Sequence, residues 1–446
     1  MLRQKAIEHF DNLLEDEKLR SLSVEVLDRG LEKSRLIFGG RRLTPFLQPF
    51  FITQEEWDSV RKACNHVFNA LQKVKDAAIG STNILEELGI RGKELELVKI
   101  EPGYSHVSPT ARLDSFLSEE SYSFVELNGE SPAGIAYADS ASRIFQELPV
   151  MKKFQERYSA VPFSGSPFMA EVLLSCWKEF LGTSPAKKPN IAIVDLEGLP
   201  TQQEFELFRE YFSSLGMNTI ITSPERLEYD GKNLKDGGFK IDIVYKRLLV
   251  NEYLPILDKA PALYEAYKNH SVCMVNSFRG KLVHKKAIFA ILTDESYGSL
   301  FSATEIKAIR QHVPWTRHLR DRKTTFNGAD IELLDWVREN KENLVLKPND
   351  DYGGHGIYIG WSLNETDWED SITKALNAGD YLVQYRVQTS RERFPMILED
   401  GTLEWQSQLV DLDPLLFTGS AEAAFTRLSS SELANVTAGG GMVPVF

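Results

Sequence analysis

The sequence predicts a mixed α/β (α+β) chain in several units, one of them a small doubly wound α/β domain. Three observations lead there. Residues 190–245 run in a strand–helix–strand rhythm. Long stretches on either side carry apolar residues at helical spacing between charges. Short apolar runs elsewhere stop at polar or glycine-rich loops. Taken in order, residues 1–35 read as helix and break at Gly39-Gly40. Residues 43–52 are apolar and punctuated by Pro45 and Pro49, hence extended. Thr53 with Glu56 three residues on is a capping box, opening a helix to about residue 76. Residues 95–128 read as strands, with 107–114 and 121–128 separated by a short polar stretch. Helical periodicity returns over 138–183, and Gly182-Thr-Ser-Pro-Ala-Lys-Lys-Pro189 reads as a linker. Strands at 190–195, 218–222 and 241–245 and a helix at 202–215 make the small unit. It lacks the G-x-G-x-x-G turn of a dinucleotide site. Residues 280–340 read as mostly helical, with strands at 344–347 and 381–384 and a tail rich in small residues.

Composition removes several function classes. The 446 residues are 42% hydrophobic and 26% charged, which is globular and too long for one ordinary core. The formal charge of −13 disfavours a general nucleic-acid binder, which needs a basic surplus. Cys64, Cys176 and Cys273 lie far apart, with neither zinc nor disulfide spacing, as in a reducing compartment. The charged N-terminus has no apolar leader, and no window approaches the roughly 18 apolar residues of a membrane span. A cytoplasmic protein acting neither on nucleic acid nor at a membrane is expected.

The first chemical signal is Arg112-Leu-Asp114, followed by Glu126-Leu-Asn128-Gly-Glu-Ser-Pro132. Alternate residues of a strand share a face. If the strands form a hairpin turning about Glu120, Asp114 opposes Glu126 and Arg112 opposes Asn128, and all four side chains converge. Opposed carboxylates repel unless a cation sits between them. Oxygen-only ligands suit magnesium, and an arginine beside them suits phosphate. The plainer alternative is a solvated hairpin face with its charges in water.

The second signal is Leu344-Val-Leu-Lys347-Pro-Asn-Asp-Asp-Tyr-Gly353-Gly354-His-Gly356. A lysine ending a buried strand needs an anionic partner, and the glycines let backbone N–H groups approach one. It is not a P-loop. A snorkelling lysine before a glycine turn is the alternative. Val383-Gln384-Tyr385-Arg386-Val387 is a strand leading into a linker that could meet an adenine edge. Lys285-Lys286 is either a nucleotide contact or a basic helix start.

Together these segments resemble the circularly permuted branch of the ATP-grasp superfamily, which includes the synthetase domain of glutathionylspermidine synthase. Glu126-Leu-Asn128 resembles its E-x-N magnesium motif, Asp114 its third metal ligand, and Arg112 the arginine that stabilises the transferring phosphoryl group. Lys347 and the Gly353, Gly354 and Gly356 loop resemble its ATP lysine and phosphate loop. Gln384, Tyr385 and Val387 resemble the adenine hinge, and Lys286 the first nucleotide-binding lysine. Glu126 precedes Lys347 by 221 residues (347 − 126), the order of the permuted branch. Asp242-Ile-Val-Tyr-Lys246-Arg247 and the run from Arg427 through Asn435 to Gly441 also resemble family segments.

The resemblance implies an ATP-grasp fold with a pre-ATP-grasp-like domain, divided into 1–185, 186–275 and 276–446. It implies an ATP-dependent carboxylate–amine ligase that forms an amide through an acyl phosphate and releases ADP and phosphate. ATP and one or two Mg2+ ions would be needed, with small-molecule or peptide carboxylate and amine substrates. No cysteine-dependent amidase domain is expected alongside. Two other readings stand beside it: a kinase-like or regulatory ATP binder of the same fold, and an unrelated α/β protein with charged surface strands.

Overall fold

The computed structural model describes residues 2–38, 41–118, 121–199, 201–351, 353–432 and 440–446. From the N-terminus, α1 (Leu2–Leu14) and α2 (Glu17–Lys33) lead through extended chain to α3 (Gln54–Gly80). The capping box forms at its start: Glu56 N donates to Thr53 Oγ1 and Thr53 N donates to Glu56 Oε2. After α4 (Gly92–Lys99) come β1 (Thr110–Leu117) and β2 (Tyr122–Asn128), then α5 (Ile135–Glu147) and α6 (Ser166–Leu181). The small unit holds β3 (Ile191–Val194), α7 (Gln202–Ser214), β4 (Thr219–Thr222), β5 (Ile243–Lys246) and β6 (Cys273–Val275). Next come α8 (Ala303–His312), β7 (Thr316–His318), β8 (Leu344–Pro348), β9 (Tyr358–Ile359), α9 (Glu365–Ala378) and β10 (Tyr381–Tyr385). The chain closes with β11 (Arg391–Ile397), β12 (Leu403–Phe417), β13 (Ser420–Ser429) and β14 (Gly441–Pro444).

Three larger sheets organise these strands. An antiparallel six-stranded sheet has the order β14-β13-β12-β1-β2, with β11 also on β12. A parallel four-stranded sheet has the order β6-β5-β3-β4. An antiparallel four-stranded sheet has the order β7-β10-β8-β9. The six-stranded sheet decides the architecture. Its β1–β2 hairpin comes from early in the chain, yet β1 pairs with β12, where Leu412 faces Ser115 and Leu415 faces Arg112. Segments 100–135 and 340–445 therefore share one sheet.

That sheet is two-faced. Ala111, Leu113, Phe124, Leu127, Val410 and Leu412 join Phe68 and Leu71 of α3 in one apolar core. Across from it, the strands carry their charged side chains.

Several expectations are corrected. Residues 95–99 are helical: Leu95 and Val98, three apart, pack against one core and Leu97 against another. Strands and a hairpin occupy 316–318, 323–326 and 329–332 inside the stretch read as helical. The tail holds two long strands, β12 and β13. The small unit has its own core on one side, around Val244 and Met274. On the other, Ile191, Ile193 and Tyr245 merge with α5 and α6 in a core shared with the rest of the chain. The two faces of the small sheet thus pack into different cores. Gly39-Gly40, the turn at Glu120, Tyr352 and Asn435 lie outside the described residues. No helix of the described residues is long and apolar enough to cross a membrane.

Candidate functional site

The hairpin register puts Arg112 opposite Asn128 and Asp114 opposite Glu126, the pairing that the spacing leads to. Asp114 Oδ1 accepts from Arg112 Nε at 2.8 Å and Asn128 Nδ2 at 2.9 Å. Its Oδ2 accepts from Arg427 Nη2 at 2.6 Å. Arg112 is steadied by the Ala133 carbonyl at 2.9 Å. Burial opposes the charge on Asp114, but Arg112 and Arg427 outweigh it and hold the carboxyl well below the usual range.

Two residues of this face, Asp411 and Asp413, escaped sequence reasoning, and Arg427 entered only within a family-like C-terminal run with no role attached. Asp411 and Asp413 of β12 stand beside Asp114, with ligand oxygens of all three within 4.8 Å of one another. Arg427 of β13 lies among them, 2.6 Å from Asp411 and 2.8 Å from Asp413. Burial pushes Asp411 up to about 6 and Asp413 well above its ordinary value, with Arg427 opposing in both cases. The signal was present as acids at every second residue in Leu409-Val-Asp-Leu-Asp-Pro414. The donor set is all oxygen and suits a hard divalent cation. Asp413 Oδ2 is buried beside Arg427 Nε at 2.8 Å without a well-aligned hydrogen bond to it. The residues present therefore fit magnesium.

The lysine and glycine segment faces this patch. Lys347 is 9% exposed, and its Nζ donates to Gln384 Oε1 at 2.7 Å and to the Val125 carbonyl of β2 at 3.3 Å. Burial pulls its pKa down to about 8, with Glu126 opposing. Lys286 lies 3.2 Å from Glu126, whereas Lys285 pairs with Asp350 at 2.8 Å and Glu94 at 3.2 Å. Of the adjacent lysines, Lys286 is thus the one turned toward the hairpin. Gly353 (φ 70°), Gly354 (φ 79°) and Gly356 (φ 68°) are all left-handed, which side chains with a Cβ resist.

A cavity of about 500 Å3 joins these groups. Arg112, Asp114, Glu126 and Asn128 line it from the hairpin, and Lys347, Gly353, Gly354, Gln384, Tyr385 and Val387 from the other side. Lys286 and Gly356 are not among its lining residues. Val345, Ile359 and Trp361 give it an apolar wall, and Trp361 is covered by the Arg386 guanidinium at 4.0 Å. Asp195, Arg247 and Glu252 close the end beside the small unit.

Behind the cavity lies a buried ionic network. Glu130 sits 3.0 Å from Lys281 and 3.5 Å from Lys246, and all three side chains are fully buried. Asp350, ahead of the glycines, pairs with Lys281 at 2.6 Å. Asn276 donates to the Thr110 and Gly129 carbonyls at 2.7 and 3.0 Å, fastening the end of β6 to both hairpin strands.

A glutathione synthetase-like effector from Globodera pallida, in its apo form, superposes with a TM-score of 0.62 at 15% identity, covering 96% of this chain and 97% of that one. The fold is thus similar to that of this glutathione synthetase-like effector over nearly the whole of both chains. Two weaker likenesses carry no argument about this chain. A chain assigned as gamma-glutamylcysteine synthetase from Methylobacillus flagellatus has a TM-score of 0.38 at 10% identity, over 73% of this chain and 76% of that one. D-alanyl-alanine synthetase A from Vibrio cholerae has 0.27 at 10% identity, over 50% and 68%. No family model and no curated protein sequence matches the chain.

Proposed function

We propose that the chain is an ATP-dependent carboxylate–amine ligase of the circularly permuted ATP-grasp type. It forms an amide through an acyl phosphate and releases ADP and phosphate. The observation that carries this reading is one cavity lined both by Arg112, Asp114, Glu126 and Asn128 and by Lys347, Gln384 and two loop glycines from far along the chain. The carboxylates and arginines here pair with one another, whereas the buried Lys347 ammonium donates to the neutral oxygens of Gln384 and Val125, which favours an anionic guest beside it. The domains follow as 1–185 and 276–446, which jointly enclose nucleotide, and 186–275, which closes the far end.

The residues divide the work. The apolar wall of Val345, Ile359 and Trp361 takes the adenine, with the 384–387 segment along its edge. Lys347 and Lys286 offer positive charge to the phosphates, and the Gly353–Gly356 backbone folds over them and excludes water from the acyl phosphate. Asp114, Glu126 and Asn128 would hold Mg2+, with Asp411 and Asp413 adjacent. When bound, the metal neutralises charge developing between the β- and γ-phosphates. Arg112 faces the same point and stabilises the phosphoryl group as it moves to the substrate carboxylate. The amine then displaces phosphate from the acyl carbon, so no protein nucleophile is required.

The test is a screen of ADP release over pairs of carboxylates and amines, with product mass read in parallel. ADP formation that needs both substrates and accompanies an amide supports the ligase. ADP release with a phosphorylated hydroxyl product supports kinase-like chemistry instead.

A further inference from the structure

The segment that follows β2 leads from the acidic face to α5, and Arg112 rests on one of its carbonyls. Arg112 Nε and Nη2 donate to the two oxygens of Asp114 at 2.8 and 3.1 Å, and Nη1 donates to the Ala133 carbonyl at 2.9 Å. In these hydrogen bonds each guanidinium nitrogen uses one N–H, so one remains on Nη1 and one on Nη2. Such a pair matches two oxygens of a phosphoryl group. Asp114 holds one edge of the guanidinium plane, and the contact with Ala133 sets its tilt. The aim of the remaining N–H groups therefore depends on where the Ala133 carbonyl lies.

The small unit holds that carbonyl from outside. Gly134 is the N-cap of α5 and brings no side chain to the N–H groups of its first turn. Glu204, in the first turn of α7 and fully buried, supplies the acceptor: its Oε1 takes Gly134 N at 2.8 Å and Ala136 N at 3.1 Å. Arg247, just past β5, donates Nη1 to the Pro132 carbonyl at 2.7 Å and Nη2 to Glu204 Oε2 at 3.2 Å. Tyr245 Oη lies 3.0 Å from Arg247 Nη1, and Tyr137 Oη accepts from Glu204 N at 3.1 Å. The segment is thus gripped at residues 132, 134 and 136, on both sides of Ala133. It has little room to move toward β13, because a Cβ on Gly134 would stand 2.5 Å from the Phe425 ring, which the Arg112 guanidinium covers at 5.6 Å. A buried ion pair is weak evidence of stabilisation, since apolar residues of similar volume often serve as well. What an apolar pair lacks is the grip on the 132–136 backbone.

We infer that Glu204 and Arg247 are positioning residues for Arg112: they clamp residues 132–136 so that the Ala133 carbonyl keeps the guanidinium aimed at the transferring phosphoryl group. They act through the backbone and not on the nucleotide. The assignment rests on the ligase reading for the role of Arg112, and it makes the small unit part of the phosphoryl-transfer machinery as well as a wall of the cavity. Loosening the clamp leaves ground-state nucleotide binding in place and removes interaction made with the transferring group. A misplacement of about 1 Å at such a group is enough to lose about a hundredfold.

Calorimetric titration of the full chain tests it, with MgADP alone and with MgADP plus aluminium fluoride, a mimic of the transferring phosphoryl group. The parent should bind MgADP at least tenfold tighter with the fluoride, and Arg112→Ala should lose most of that gain. Glu204→Gln/Arg247→Met removes both buried charges together and keeps an oxygen for the α5 N–H groups, so it should melt cooperatively. Glu204→Met/Arg247→Met is the second, fully apolar replacement. Each should cut the gain at least fivefold while affinity for MgADP alone stays within twofold. Added to Arg112→Ala, the same substitutions should leave the affinity for the mimic unchanged, because the clamp works only through Arg112. A parental gain in both variants, an equal loss of MgADP binding, a further loss in the Arg112→Ala background, or failure of both variants to fold would each overturn the inference and leave the ligase reading intact. A parent chain that binds no MgADP overturns the ligase reading and the inference with it.

Discussion

Lys347 joins the two halves of the site, reaching from β8 to the Val125 carbonyl of β2 and to Gln384 of β10. Its pKa, lowered by burial to about 8, gives nucleotide binding a pH dependence. Phosphate binds the charged ammonium, and the free protein loses that charge as pH rises through about 8. ATP affinity should therefore be flat from pH 6.5 to 7.5 and then fall by up to about tenfold per pH unit above 8, since one pKa unit corresponds to tenfold in affinity. Isothermal titration across pH checks this, and an affinity unchanged between pH 7 and 9.5 would remove Lys347 from the phosphate site. At this scale the sequence was readable where parity alone decides: Arg112, Asp114, Glu126 and Asn128 share a face because strands alternate. Asp411 and Asp413 were not readable, and Arg427 was noted without its place in the site, because their partner strand is far away in sequence and only the fold brings them to Asp114.

Among elements, the loop after β8 is the one most dependent on its residue types. Its glycines occupy left-handed backbone, and Asp350 is tied at its base by Lys281 and Lys285 at 2.6 and 2.8 Å. Gly354→Val opposes the φ of 79° and crowds the backbone that approaches phosphate. It should raise the KM for ATP several-fold while leaving the melting temperature within a few degrees. Steady-state kinetics and a thermal melt separate these effects, and an unchanged KM would contradict a phosphate-covering role. Elements with strong local signals were legible: the capped α3, the β1–β2 hairpin, and the alternation of strands and helix in the small unit. The long β12 and β13 were missed because Leu409–Ala424 mixes small and apolar residues whose strand character comes from pairing with β1 and with each other. The helix at 92–99 was missed because Glu94-Leu-Glu-Leu97 alternates like a short strand, while its apolar residues serve two different cores.

At the scale of the whole molecule, Glu130 ties the hairpin to the small unit and, through Lys281 and Asp350, to the loop after β8. Glu130→Ala leaves Lys246 and Lys281 with less compensation in full burial, and removing one partner of a buried pair costs about 3–5 kcal/mol. Urea unfolding should show that loss. Burial opposes the Glu130 charge, but Lys281 and Lys246 outweigh it and depress the pKa from 4.5 to about 2. Its stabilisation is accordingly complete above pH 4.5 and is lost as pH falls toward 2. A parent chain whose stability is unchanged between pH 5 and 2.5, or a Glu130→Ala variant as stable as the parent, would contradict the network. The joint enclosure of one cavity by segments more than two hundred residues apart is the central claim. Nucleotide titration of the parent, Lys347→Met and Glu126→Ala, each with and without Mg2+, tests it most directly. Mg2+-strengthened binding is expected in the parent, at least tenfold weaker binding in Lys347→Met, and loss of the Mg2+ effect in Glu126→Ala. Equal affinities and equal Mg2+ dependence in all three proteins would contradict it.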